Sequence, residues 1–126
     1  MNAPDIVHAF IEAVERRDVA AAAAFFAPAA TYRNMPHPPV HGPGGVAGLL
    51  GPILRRSERV RWDVVTEASV AGRVHLERVD RFWIDGAELA VACHAVIEVD
   101  ESVGLITALR DYVDLESWRA RLAGRL

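Results

Sequence analysis

The stretch from Arg73 to Ile84 alternates between two kinds of residue. Val74, Leu76, Arg78, Asp80, Phe82 and Ile84 fall on one side of an extended chain. Arg73, His75, Glu77, Val79, Arg81 and Trp83 fall on the other. The first side is apolar except for Arg78 and Asp80. Taking a charge out of water costs several kcal/mol per ion, on the order of the whole stability of a small domain. A charged pair on the core face of a strand therefore needs partners, and they should be found elsewhere in the sequence.

The rest of the chain supplies the elements around that strand. Ile6, Val7, Phe10, Ile11 and Val14 recur at helical spacing after Asp5, which predicts a helix over about 5–17 with Asp5 as its cap. Asp18 can cap a second, alanine-rich helix from Val19 to Phe26, stopped by Pro28. Ala29 to Met35 reads as a short strand ended by Pro36-His37-Pro38-Pro39, because proline cannot donate to a ladder. Val40 to Gly45 reads as a loop, and Val46 to Leu54 as a third helix. Arg55 to Arg59 reads as a solvated helix end.

From Val60 the period changes from helical to extended. Val60 to Val70 alternates with Trp62, Val64, Thr66, Ala68 and Val70 on one side. Asp85-Gly86 is a two-residue hairpin turn after Ile84. Leu89 to Val99 is apolar enough for a central strand, and Val103 to Val113 follows the turn at Asp100-Glu101-Ser102. Leu115 to Leu122 reads as a terminal helix capped by Asp114. Helices first and hairpin-linked strands after predict one α+β domain over residues 1–126, with helices on one face of a curved, mostly antiparallel sheet. A pocket between those layers suits a small apolar ligand.

Composition narrows the function. The chain is 52% hydrophobic with a net charge of −3, and its 14 basic residues are all arginine. Without lysine there is no Schiff base and no P-loop, and without a basic run there is no footprint for nucleic acid. Cys93 is the one cysteine and lies in an apolar run. With no basic segment ahead of an apolar stretch at the N-terminus, and no apolar run near the length of a membrane span, a cytoplasmic protein is expected.

Partners for the buried pair appear in two other strands. Asp111 shares a side with Val103, Leu105, Thr107, Leu109 and Val113, while Arg110 and Tyr112 face away. Tyr32 and Asn34 share a side just before the proline-rich bend. One arginine between two carboxylates can be a structural ion pair, with Tyr32 and Asn34 satisfying the remaining bonds. The same set leaves one carboxylate in excess, so in a dry pocket one acid should hold a proton while the other acts as a base. That is equipment for push–pull proton transfer.

Tyr32-Arg33-Asn34-Met35-Pro36, Glu77-Arg78-Val79-Asp80 and Leu109-Arg110-Asp111-Tyr112 resemble the signature stretches of the limonene-1,2-epoxide hydrolase family, within the wider NTF2-like or SnoaL-like cone folds. The resemblance implies a cone with a curved mixed sheet, its helices on the concave face. It implies that Asp111 is the general base, that Tyr32 and Asn34 hold the attacking water, that Asp80 is the acid and that Arg78 bridges the two. It further implies a small apolar epoxide as substrate, a vicinal diol as product, no metal or other cofactor, and a homodimer. Met35, Leu49, Phe82 and Leu109 are candidates for the substrate wall. Among the histidines His8, His37, His41, His75 and His94, no pair has the spacing of a helical zinc site. The alternatives on the same fold are an isomerase or cyclase needing one base, and a non-catalytic binder of small ligands.

Overall fold

A computed structural model describes residues 1–123. Its first helix, α1 (Ala3–Glu15), starts two residues earlier than the spacing predicts, because Asn2 rather than Asp5 is the cap. Asn2 accepts from the Asp5 N–H and the Asp5 side chain accepts from the Asn2 N–H, a reciprocal capping box. The predicted apolar stripe Ile6, Val7, Phe10, Ile11 and Val14 is buried. Helix α2 (Val19–Ala24) is capped by Asp18, whose carboxylate accepts from the Ala21 N–H.

The first strand, β1 (Phe26–Met35), begins before Pro28 rather than after it. Its ladder jumps from Phe26 to Thr31, so proline, with no N–H to donate, sits where no ladder bond is made. A two-residue strand, β2 (Val40–His41), replaces the start of the expected loop. Helix α3 (Gly42–Arg56) then starts earlier and ends later than expected. Pro43 lies in its first turn, where the missing N–H would have had no partner anyway.

Four long strands follow: β3 (Arg59–Val70), β4 (Arg73–Ile84), β5 (Ala87–Asp100) and β6 (Leu105–Val113), then helix α4 (Leu115–Leu122) capped by Asp114. The turn between β4 and β5 is the expected Asp85-Gly86 pair, both left-handed at φ 52° and 77°. The six-stranded sheet has the order β2-β1-β6-β5-β4-β3, with only β1 and β6 parallel. The core lies between its inner face, α1 and α3. No helix of the described residues is long and apolar enough to cross a membrane.

Two bulges correct the expected alternation. In β3 the register shifts between Val64 and Thr66, which turns Thr66 outward to bond Glu77. In β6 the extra residue is Thr107, which is exposed, while Ile106 takes the buried place. Val103 lies ahead of the strand and is exposed. Beyond the bulge, Leu109 and Asp111 point inward as expected.

Candidate active site

Regular alternation in β4 carries Arg78 and Asp80 to the inner face, with Arg78 0% exposed and Asp80 7%. β1 brings Tyr32 and Asn34, and its parallel pairing with β6 sets Asn34 directly opposite Asp111. Tyr32, Asn34, Asp80 and Asp111 all line one cavity of about 210 Å³. Arg78 lies behind it and joins the acids. Its Nε and Nη2 donate to the two oxygens of Asp80 at 2.7 and 2.9 Å, and Nη2 also donates to both oxygens of Asp111 at 3.3 Å. The Tyr32 hydroxyl donates to Asp111 Oδ2 at 3.2 Å. Tyr32, Arg78, Asp80 and Asp111 therefore form one hydrogen-bonded cluster, and Asn34 lines the cavity opposite Asp111 in the ladder.

Burial governs its electrostatics. It pushes the Asp80 carboxyl up; Arg78 opposes this, and the charge of Asp111 adds to it. For Arg78 burial alone would lower the pKa, but the two carboxylates outweigh it and the guanidinium stays charged. Burial, then Asp111, raises Tyr32, which remains a neutral donor. One cation thus faces two acids, and Asp80 is held toward its protonated form. Cys93, in β5, donates weakly to Asp80 Oδ2 at 3.7 Å. Burial raises its thiol as well, which keeps it a poor nucleophile in this cavity.

The cavity walls are apolar. Leu49 and Phe82 line it as expected, joined by Leu50 and Ile53 of α3 and Val91 of β5. Met35 does not line it, because the strand period turns it away from Asn34. Leu109 faces inward but is fully buried in the core. Trp62, Leu115, Trp118 and Leu122 also line the cavity and were not singled out from the sequence. The i, i+3, i+7 spacing of the last three was the available signal. Trp118 meets Phe82 with ring centroids 5.4 Å apart. His75 and His94 lie on the outer face of the sheet, their rings 6.1 Å apart. Among the described residues no group of three histidine, cysteine or acidic side chains is placed to hold a metal.

The family model of the limonene-1,2-epoxide hydrolase catalytic domain matches residues 1–121. The chain belongs to the limonene-1,2-epoxide hydrolase family. Among solved structures, it is similar to an LEH-like epoxide hydrolase of Mycobacterium tuberculosis at 26% identity and a TM-score of 0.75, over 98% of this chain and 90% of that one. A protein assigned as a SnoaL-like polyketide cyclase from Shewanella denitrificans is 10% identical with a TM-score of 0.84, over 96% of each chain. A protein of ketosteroid isomerase-like fold from Catenulispora acidiphila is 23% identical with a TM-score of 0.80, over 94% of this chain and 92% of that one. These last two share the fold of this chain, helices packed on an open, six-stranded mixed sheet, and a shared fold does not carry a function with it.

Proposed function

We propose that this family member hydrolyses a small apolar epoxide to a vicinal diol in one step, without a cofactor. The observation that carries this is the Arg78 guanidinium bonded to two carboxylates that line the same apolar cavity. Asp111 takes a proton from a water held by Tyr32 and Asn34. The water oxygen bonds to one ring carbon, from the side away from the ring oxygen, as that same carbon's bond to the ring oxygen breaks. Asp80 gives its proton to the departing oxygen. The cycle ends with the proton on Asp111 returning, through solvent, to Asp80. Fixing the water in line removes much of the entropic barrier, and acid and base help are each worth about 10²–10⁴-fold. An isomerase or cyclase needs one base and an oxyanion donor, and would leave the Arg78 bridge and the Tyr32 and Asn34 water clamp without a role.

A panel of alkyl, cyclic and terpenoid epoxides, followed for diol, tests the activity. Single turnover in H₂¹⁸O should place the label in the diol and none in the protein. Absence of diol from the whole panel would remove the hydrolase assignment, and label in an aspartate would replace water attack by a covalent ester.

The partner we propose for the outer sheet face is a second copy of the chain. There Val79 pairs with Ala92 and His94 with Tyr112, and Tyr112 is 45% exposed. Light scattering should give twice the chain mass, and Tyr112→Glu should halve it. A monomeric wild type rules this out.

A further inference from the structure

Trp62 stands directly across from Asp80, on the neighbouring strand and the same inner face. Its ring lies 4.1 Å from the Arg78 guanidinium, it is 4% exposed, and it lines the cavity. The helix α1 braces it. Phe10 meets it edge-on at 6.0 Å, and the Trp62 backbone N–H donates to Glu15 Oε2 at 3.0 Å. Arg78 Nη1 is buried with no hydrogen-bond partner, so an aromatic face is what this desolvated cation has beside its two carboxylates. We propose that Trp62 is a positioning residue for the acid–base pair: its indole covers the face of the Arg78 guanidinium, which the two carboxylates hold, and keeps water off the Asp80 carboxyl on the β3 side.

The proposal rests on Asp80 as the acid of an epoxide hydrolase. Since burial is the largest influence on Asp80, a residue that supplies part of the dry wall contributes to how far up the pH scale the acid keeps its proton. The other titratable or charged groups around Asp80 are Arg78 on its own strand, Cys93 on β5, Asp111 on β6 and Tyr32 on β1. The helices α3 and α4 offer apolar side chains such as Ile53 and Trp118. Glu15 of α1 reaches only the Trp62 backbone and is also 3.7 Å from Arg61.

The test is a titration of the aspartate carboxyls by ¹³C NMR, with the Asp80 signal identified by its loss in Asp80→Asn. Beside it runs the pH profile of kcat/KM for diol formation. Trp62→Gln removes the aromatic face and admits water. The Asp80 midpoint should fall by about one unit or more, tenfold in the protonation equilibrium, and the high-pH limb of the rate should move down with it. Trp62→Phe keeps an aromatic face and should recover most of that shift, even though the altered wall changes KM. A folded Trp62→Gln variant with the wild-type midpoint overturns the proposal, as does Trp62→Phe falling as far as Trp62→Gln. If Trp62→Gln does not fold, Trp62→Ala, which also removes the aromatic face and leaves room for water beside Asp80, carries the same test, and an unchanged midpoint there overturns it. The NMR midpoint needs no turnover. Wild-type protein that makes no diol would end the hydrolase assignment while still reading what Trp62 does to Asp80.

Discussion

Asp111→Asn is expected to lower kcat for any accepted epoxide by about 10²–10⁴-fold, roughly 3–5 kcal/mol of barrier. Asparagine keeps the size of the side chain and one acceptor for the Tyr32 hydroxyl, so the loss should be of proton acceptance rather than of fold. Removing this charge leaves Arg78 paired with Asp80 alone, which is balanced. The thermal midpoint should therefore stay close to that of the wild type while turnover disappears. Asp80→Asn should cost a similar factor, because the leaving oxygen then meets no acid. The double variant should be little worse than either single one, since groups that act as a unit do not add. Stopped-flow or product assays at saturating epoxide read these values. Turnover within tenfold of the wild type in either single variant would mean that the residue is not in its assigned role.

Arg78→Met is expected to destabilise the protein by about 3–5 kcal/mol at neutral pH. The side chain is fully buried, and its removal strands two carboxylates in an apolar cavity. The pH dependence has a definite sign. The folded-state pKa of Asp80 is already raised above its ordinary value, and Arg78 is the first-ranked influence opposing that rise. Removing Arg78 raises it further. A group raised on folding contributes stability that is present below its unfolded pKa and lost as pH climbs through the folded one. The deficit should thus be small near pH 4 and grow toward pH 8. Urea unfolding at a series of pH values measures it, and a deficit that is flat across this range would show that the carboxylates are not what the arginine stabilises. Asp80→Asn in the same background should recover part of the loss at neutral pH.

Much of this arrangement is legible in the sequence. The alternation in β4 places Arg78 and Asp80 on a core face before any contact is known, and Asp85-Gly86 fixes the hairpin that follows. The families of side chains on β1 and β6 then offer Tyr32, Asn34 and Asp111. What the period could not supply is where it breaks. The bulge at Thr107 shifts the near half of β6 by one residue, so Leu105 and Thr107 were expected inside where Ile106 sits. A bulge is a property of two strands pairing, and one strand's composition does not announce it. Pro28 reads as a boundary because proline ends ladders, yet the ladder itself skips that segment. Met35 lies on the other side of β1 from Asn34, and Leu109 is not a wall residue for the complementary reason. Facing inward is a local property, whereas facing a cavity depends on how far along the strand the packed core ends.

Between Arg78 on β4 and Asp111 on β6 lies the whole width of β5. Neighbouring strands sit about 4.8 Å apart, so the arginine must reach across roughly 10 Å of backbone. It can do so because β5 is low at that point. Cys93 stands opposite Arg78, and Ala95 stands opposite Asp111. A leucine or phenylalanine at position 95 would rise like a ridge in a mountain pass and part the cation from its second acid. The distance over which the two carboxyls communicate is therefore set by a methyl group that takes no part in the chemistry.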